Sequence, residues 1–154
     1  VPIKGPKSAS ITYKVKIKGV DETLKAFRRL PKEANTELRD ASREMAGDLA
    51  QKIKSAAGRE GRQWAILART VRAKRDRVPV VQAGGLTRLG RNRKPAYKML
   101  FGAEFGATVL HQYRKRTPGN RGYVFFPTAK KQTRNFDKRW NKVAEDIQKR
   151  FGED

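Results

Sequence analysis

Over residues 10–18 apolar and polar side chains alternate, with Ile11, Tyr13, Val15 and Ile17 on one face and Thr12, Lys14, Lys16 and Lys18 on the other. A period of two predicts a strand with one buried face. Gly19 ends it, and Asp21 supplies an N-cap for a short helix presenting Leu24, Phe27 and Leu30. Pro31 suits the first turn of a longer helix, where a missing N–H loses no intrahelical bond. From about 32 to 57 the period lengthens to three and four, and Ala34, Leu38, Ala41, Met45, Leu49, Ile53 and Ala56 form one apolar stripe. Gly58 is the expected left-handed stop. The alanines in the stripe imply close packing against a sheet or a neighbouring helix.

Beyond Gly58 the pattern predicts two strands, Ala68–Lys74 and Val78–Ala83, joined by a turn at Arg75-Asp76-Arg77. Pro79 marks the second as an edge strand or as a strand just starting. Gly84-Gly85 and the run Thr87–Pro95 read as a mobile basic loop that orders against something negative. Pro95 opens a short helical turn, Ala96–Phe101, followed by Gly102-Ala103-Glu104-Phe105-Gly106-Ala107. A second basic loop, Arg114–Arg121, contains the turn residues Thr117-Pro118-Gly119-Asn120. Gly122–Pro127 reads as a short buried strand ended by proline. A closing helix, about 128 to 151, places Phe136, Trp140, Val143, Ala144, Ile147 and Phe151 on one face. The order of elements predicts an α+β fold: a small, mainly antiparallel sheet packed by a long central helix and a C-terminal helix, with long basic loops. Residues 10–154 form one domain with a basic hairpin and loop insertion at about 68–95, preceded by an extended arm over 1–9.

Charge changes this picture most. The chain of 154 residues has a formal net charge of +22, with 37% apolar and 34% charged residues. Such a field draws nucleic acid or acidic surfaces and opposes the packing of like copies. The long helix carries equal numbers of acids and bases, whereas residues 58–99 hold twelve bases against Glu60 and Asp76. The expectation is a nearly neutral scaffold carrying basic loops. The candidate contact residues are Arg69, Arg72, Lys74, Arg75, Arg77, Arg88, Arg91, Arg93 and Lys94, with Arg114, Lys115, Arg116 and Arg121 in the second loop. There is no cysteine, so neither a disulfide framework nor a thiolate metal site is available. No apolar run approaches the roughly 20 residues that span a bilayer. The segment Val1–Pro6 lacks the apolar core of a signal peptide and reads as an arm left after loss of an initiator methionine.

Catalytic chemistry finds little support. His111 is the single histidine, no His, Cys or carboxylate cluster has metal-ligand spacing, and Glu104 has no second acid nearby in sequence. Gly58–Arg62 lacks the lysine-hydroxyl pair of a phosphate-binding loop, and no glycine fingerprint links a strand to a helix. The expectation is no enzyme, no cofactor and no metal. Nucleic-acid binding fits the charge better than any motif, because 69–94 contains no aromatic residue on which bases could stack. A basic protein of ribosomal or nucleoid type, contacting phosphates without regard to sequence, is the alternative reading. Glycines around Glu104 and Phe105 imply either a tight turn buried in the fold or a subunit-contact loop. In the second case Gly102, Glu104, Phe105 and Gly106 meet a neighbouring copy, with Glu104 opposite one of its arginines.

The alternating first strand leads into "GVDETLKAFRRLPKEANTELRDASREMAGDLAQKI", then "LARTVRAKRDRVPVVQAGG", "FGAEFGA" and "GYVFFPTAKK" before the amphipathic last helix. This order resembles the small head–tail connector, neck and tail-completion (minor tail) proteins of long-tailed bacteriophages. The most specific pieces are Phe101–Ala107, with its Glu-Phe-Gly, and the aromatic-proline run Tyr123–Pro127. The resemblance implies a non-enzymatic virion protein of α+β fold, assembled in the host bacterial cytoplasm as a six- or twelvefold homo-oligomeric ring. Its expected partners are neighbouring connector and tail-tube proteins, with non-specific contact to DNA in the lumen and none to membrane. The N-terminal arm, carrying Pro2 and Pro6, would reach onto a neighbouring subunit.

Overall fold

The predicted first strand forms as β1 (Ser10–Lys14), with Ile11 and Tyr13 turned toward the helices. The structure, a computed structural model, describes residues 10–107 and 112–152. The N-terminal arm and His111 lie outside the described residues. Val15 and Ile17 continue the alternation and are buried, but the ladder ends near Pro79, whose carbonyl accepts the Val15 N–H at 3.0 Å. The next helix, α1 (Val20–Phe27), is capped by Gly19 at φ 70° rather than by the Asp21 side chain. Asp21 lies instead in the first turn, where a carboxylate still opposes the helix dipole favourably.

The long helix α2 (Lys32–Glu60) starts after Pro31 and buries Ala34, Leu38, Met45, Leu49 and Ile53 of the expected stripe. Ala41 and Ala56 are half-buried, and Ser42, Ala46, Ala50 and Ala57 complete the buried face. Gly58 does not stop the helix. It stays helical at a cost of about 1 kcal/mol relative to alanine, and the chain turns at Gly61, whose φ of 155° and ψ of −179° suit glycine alone. A short helix α3 (Arg62–Leu67), not foreseen from the sequence, follows and buries Trp64 and Leu67. It runs into a 3-10 turn over Ala68–Thr70, so the strand expected at Ala68–Lys74 is reduced to β2 (Arg72–Lys74).

The strand β3 (Val80–Gly84) pairs antiparallel with both β1 and β2, giving the order β1-β3-β2. It is therefore the central strand, and Pro79 marks its start rather than a sheet edge. One face of this sheet packs on the helices through Ile11, Tyr13, Val81, Ala83 and Ala73. The other carries a polar ladder in register: Arg72 donates to Gln82 Oε1 at 2.6 Å, and Gln82 donates to Thr12 Oγ1 at 3.2 Å.

The run Thr87–Pro95 is a hairpin within the chain, not a loop awaiting a partner. Strands β4 (Arg88–Leu89) and β5 (Lys94–Pro95) pair antiparallel, Leu89 is buried, and Arg88 Nη1 donates to the Arg93 carbonyl at 2.9 Å. Helix α4 (Ala96–Phe105) extends a full turn beyond the expected end and takes in Gly102–Phe105. The strand expected at Gly122–Pro127 is absent: α5 (Phe125–Gly152) begins at Phe125, with Pro127 in its first turn. The fold is α+β, with α2 packed against α5 and against one face of the sheet.

Across this core, the buried Trp140 of α5 donates its indole N–H to the Arg77 carbonyl at 2.9 Å and to Ser42 Oγ at 3.1 Å. Ser42 donates to the same carbonyl at 2.8 Å, so one buried cluster ties α2, the β2–β3 turn and α5 together. Trp140→Phe removes the shared donor and is expected to lower unfolding free energy by roughly 1–3 kcal/mol, measured by urea denaturation. An unchanged midpoint would show that the cluster contributes nothing.

Candidate functional site: a buried carboxylate and the basic surface

The glycines and Glu104 singled out in the sequence belong to one internal structure. A helix begins with N–H groups that have no intrahelical acceptor. At the start of α5 these are the amides of Val124, Phe125 and Phe126, because Pro127 has none. Glu104, on the last turn of α4 and fully buried, accepts all three. Its Oε1 takes the N–H of Val124 at 3.0 Å and of Phe125 at 2.9 Å, and its Oε2 takes that of Phe126 at 2.9 Å. The next donor, Thr128 N–H, bonds the Val124 carbonyl and starts the regular helix. The Glu104 backbone carbonyl also accepts the Tyr123 N–H at 2.7 Å. One carboxylate thus completes the helix terminus and complements its dipole.

The neighbouring residues make room for this lock. Gly122 has φ 87°, and a Cβ there would overlap the Glu104 carboxylate. Gly106, at φ 79°, ends α4 where a Cβ would collide with the Lys115 carbonyl, and a Cβ on Gly102 would enter the Tyr113 ring. Burial pushes the Tyr113 phenol above its ordinary pKa. Phe105 stacks between Phe101 and Phe126 at centroid distances of 6.3 and 5.8 Å. Thr117 donates its N–H to the Phe105 carbonyl at 2.8 Å and accepts the Gly122 N–H on its hydroxyl at 3.1 Å. The expectation that Glu104 faces a neighbouring copy from a subunit-contact loop is therefore corrected, whereas Gly102, Phe105 and Gly106 are half-buried. Together these residues end a helix and lock another, and the Glu104 carboxylate has no exposed surface to offer a neighbour.

The basic candidates divide differently. Arg75 pairs with Asp40 at 2.9 Å, and Arg114 pairs with Glu60 while lying 5.4 Å from the Tyr123 ring centroid. Arg72 belongs to the outer ladder of the sheet beside Lys74. The half-buried Arg77 contributes its carbonyl to the Trp140 cluster. Arg69 is exposed on the 3-10 turn; Arg88, Arg91, Arg93 and Lys94 are exposed on the β4–β5 hairpin; Lys115, Arg116 and Arg121 are exposed around Thr117. Among the described residues none of these eight forms an ion pair. No hydrogen bond or ion pair among the described residues joins the hairpin to the 112–121 stretch.

Sequence reasoning missed the polar side of α5. Between Phe125 and Lys142 that helix carries six cations and only Asp137 as an acid, so the scaffold is not neutral. An open groove of about 710 Å³ runs between α5 and the chain after β1, lined by Lys16, Lys18, Lys130, Arg134 and Lys138. The signal was present in the spacing of four between Lys130, Arg134 and Lys138, opposite the apolar stripe. No group of three or more potential metal-ligating side chains occurs among the described residues, and no helix there is long and apolar enough to cross a membrane.

Burial holds the Glu104 carboxyl above its ordinary pKa of 4.5, and the N–H donors of α5 pull it down without reversing that direction. With the folded value raised, the group's stabilisation is complete below pH 4.5 and is lost as pH rises through the folded value. Glu104→Ala, which orphans three buried donors, is expected to cost roughly 3–5 kcal/mol in urea unfolding near neutral pH. Glu104→Gln cannot ionise, so its stability deficit relative to the native chain should shrink as pH rises above 4.5. A deficit that grows over that range would mean the N–H donors outweigh burial. No known protein family, curated protein or solved structure matches this chain.

Proposed function

We propose that this chain is a structural subunit of a ring at the head–tail junction or tail end of a long-tailed bacteriophage. It acts by geometry rather than catalysis, matching one ring to the next and lining or sealing the conduit for DNA. The supporting observation is that the two most specific pieces of the family resemblance, Phe101–Ala107 and Tyr123–Pro127, meet in the Glu104 lock. They are about twenty residues apart in sequence and make sense only together. Residues that specify a fold in this way are what a shared structural family would keep in order and spacing.

The surfaces left for assembly are those the lock does not use. Both outer strands of the sheet, β1 and β2, have an edge not paired by a strand of the described residues. Leu86 and Phe101 are the large apolar side chains most exposed in the described residues, at 58% and 46%. The β4–β5 hairpin presents Arg88, Arg91, Arg93 and Lys94 beside Leu86. In this reading the hairpin and the 114–121 segment contact acidic faces of neighbouring connector or tail-tube rings, and ring closure uses the sheet edges. The assembled site would be the virion, built in the bacterial cytoplasm.

Replacing Arg88, Arg91, Arg93 and Lys94 together with serine alters only exposed side chains, so the far-ultraviolet circular dichroism of the monomer should not change. Particles assembled with the variant should show heads and tails unjoined in negative-stain images, with infectious titre falling by orders of magnitude. Normal titre from a folded variant would contradict the proposed contact.

A further inference from the structure

The groove between α5 and the chain after β1 is built rather than incidental. The Lys18 N–H donates to Asp137 Oδ1 at 2.7 Å, and the Tyr13 hydroxyl bonds Thr133 Oγ1 at 2.5 Å. These two bonds pin residues 13–18 alongside the first half of α5. They set Lys16 and Lys18 on one wall and Lys130, Arg134 and Lys138 on the other. Asp137 is the lone carboxylate lining the groove among the described residues, and it is already engaged by the Lys18 N–H and by the Asn141 amide at 3.2 Å. None of the five cations forms an ion pair among the described residues. On the other flank of α5, Lys131 shares a second open groove with Lys52 and Arg59, and no acid of the described residues lines it.

We propose that this α5 groove binds the phosphodiester backbone of duplex DNA without regard to sequence. Three features select that ligand class. First, successive cations on α5 stand one helical turn apart, about 6 Å along the axis, so the positive charge is distributed along a line rather than focused on one anion. Second, Ile17 is the only apolar residue lining the groove among the described residues and it is itself buried, whereas protein interfaces need an apolar or aromatic centre and are depleted of lysine. Third, no aromatic side chain of the described residues lines it, so these residues offer bases nothing to stack on and address phosphates. The inference is independent of the ring reading: the groove belongs to a single chain and is separate from the hairpin and loop candidates.

The test uses the whole chain and a fluorescently labelled DNA duplex of arbitrary sequence, with anisotropy titrations across a range of salt concentrations. The variant K130Q/R134Q/K138Q removes three exposed charges from the groove, and R28Q/R29Q/K32Q removes three exposed charges from the junction of α1 and α2 as a control for net charge. Loss of three phosphate contacts should weaken binding about tenfold or more and reduce the magnitude of the log–log salt slope by about 2 to 3. The control should lose much less of both. K16Q/K18Q, from the opposite wall, should weaken binding in the same direction without touching α5. Equal losses in the groove and control variants would overturn the proposal, because only total charge would matter. Unchanged DNA binding in the groove variant would also overturn it, including where that variant proves defective in binding an acidic protein.

Discussion

The start of α5 is the constraint on which the arrangement depends. Three amides there have lost water and have no helical acceptor, and a fully buried Glu104 carboxylate on α4 takes all of them. A buried donor without a partner costs about 1–3 kcal/mol, so the two helix ends are tied together and with them the two halves of the chain. From that point α5 runs back across α2, closing the core through Trp140, Phe136, Ala144 and Ile147. The stacked Phe101, Phe105 and Phe126 rings and the obligatory glycines 102, 106 and 122 follow from the same close approach.

This geometry separates two kinds of polar residue that look alike in sequence. Glu104 sits between glycines in a way that invites a functional role, yet its work is internal. Arg88, Arg91, Arg93 and Lys94 on the β4–β5 hairpin, Lys115, Arg116 and Arg121 around Thr117, and Lys130, Arg134 and Lys138 on α5 face outward without acidic partners among the described residues. The proposed ring subunit and the proposed DNA groove draw on different parts of that outward charge, so each stands or falls separately.

Much of the architecture is legible in the residue pattern, and the departures have local causes. Periodicities of two and near 3.6 place β1, α2 and α5, and the turn at Arg75–Arg77 links β2 to β3 as expected. Val124-Phe125-Phe126 reads as a strand because the residues favour one and a proline follows. Pro127 instead belongs to a helix's first turn, a distinction that depends on an acceptor some twenty residues earlier. Gly58 shows that a glycine alone does not end a helix whose buried face continues through Ala57. The basic ridge of α5 is present in the sequence as six cations against Asp137 between Phe125 and Lys142, but a reading of that helix for its apolar stripe passes over it.

The account's central claim is that Glu104 is a fold residue, bonded inside the chain to the first amides of α5. Native-state hydrogen exchange followed residue by residue tests it most directly. The amides of Val124, Phe125 and Phe126 should exchange as slowly as those in the middle of α2, and in Glu104→Gln, whose remaining oxygen can still serve Val124 and Phe125, protection should be lost most at Phe126. Exchange of these three amides in the native chain at the rate of exposed loop amides would contradict the account and return Glu104 to the surface.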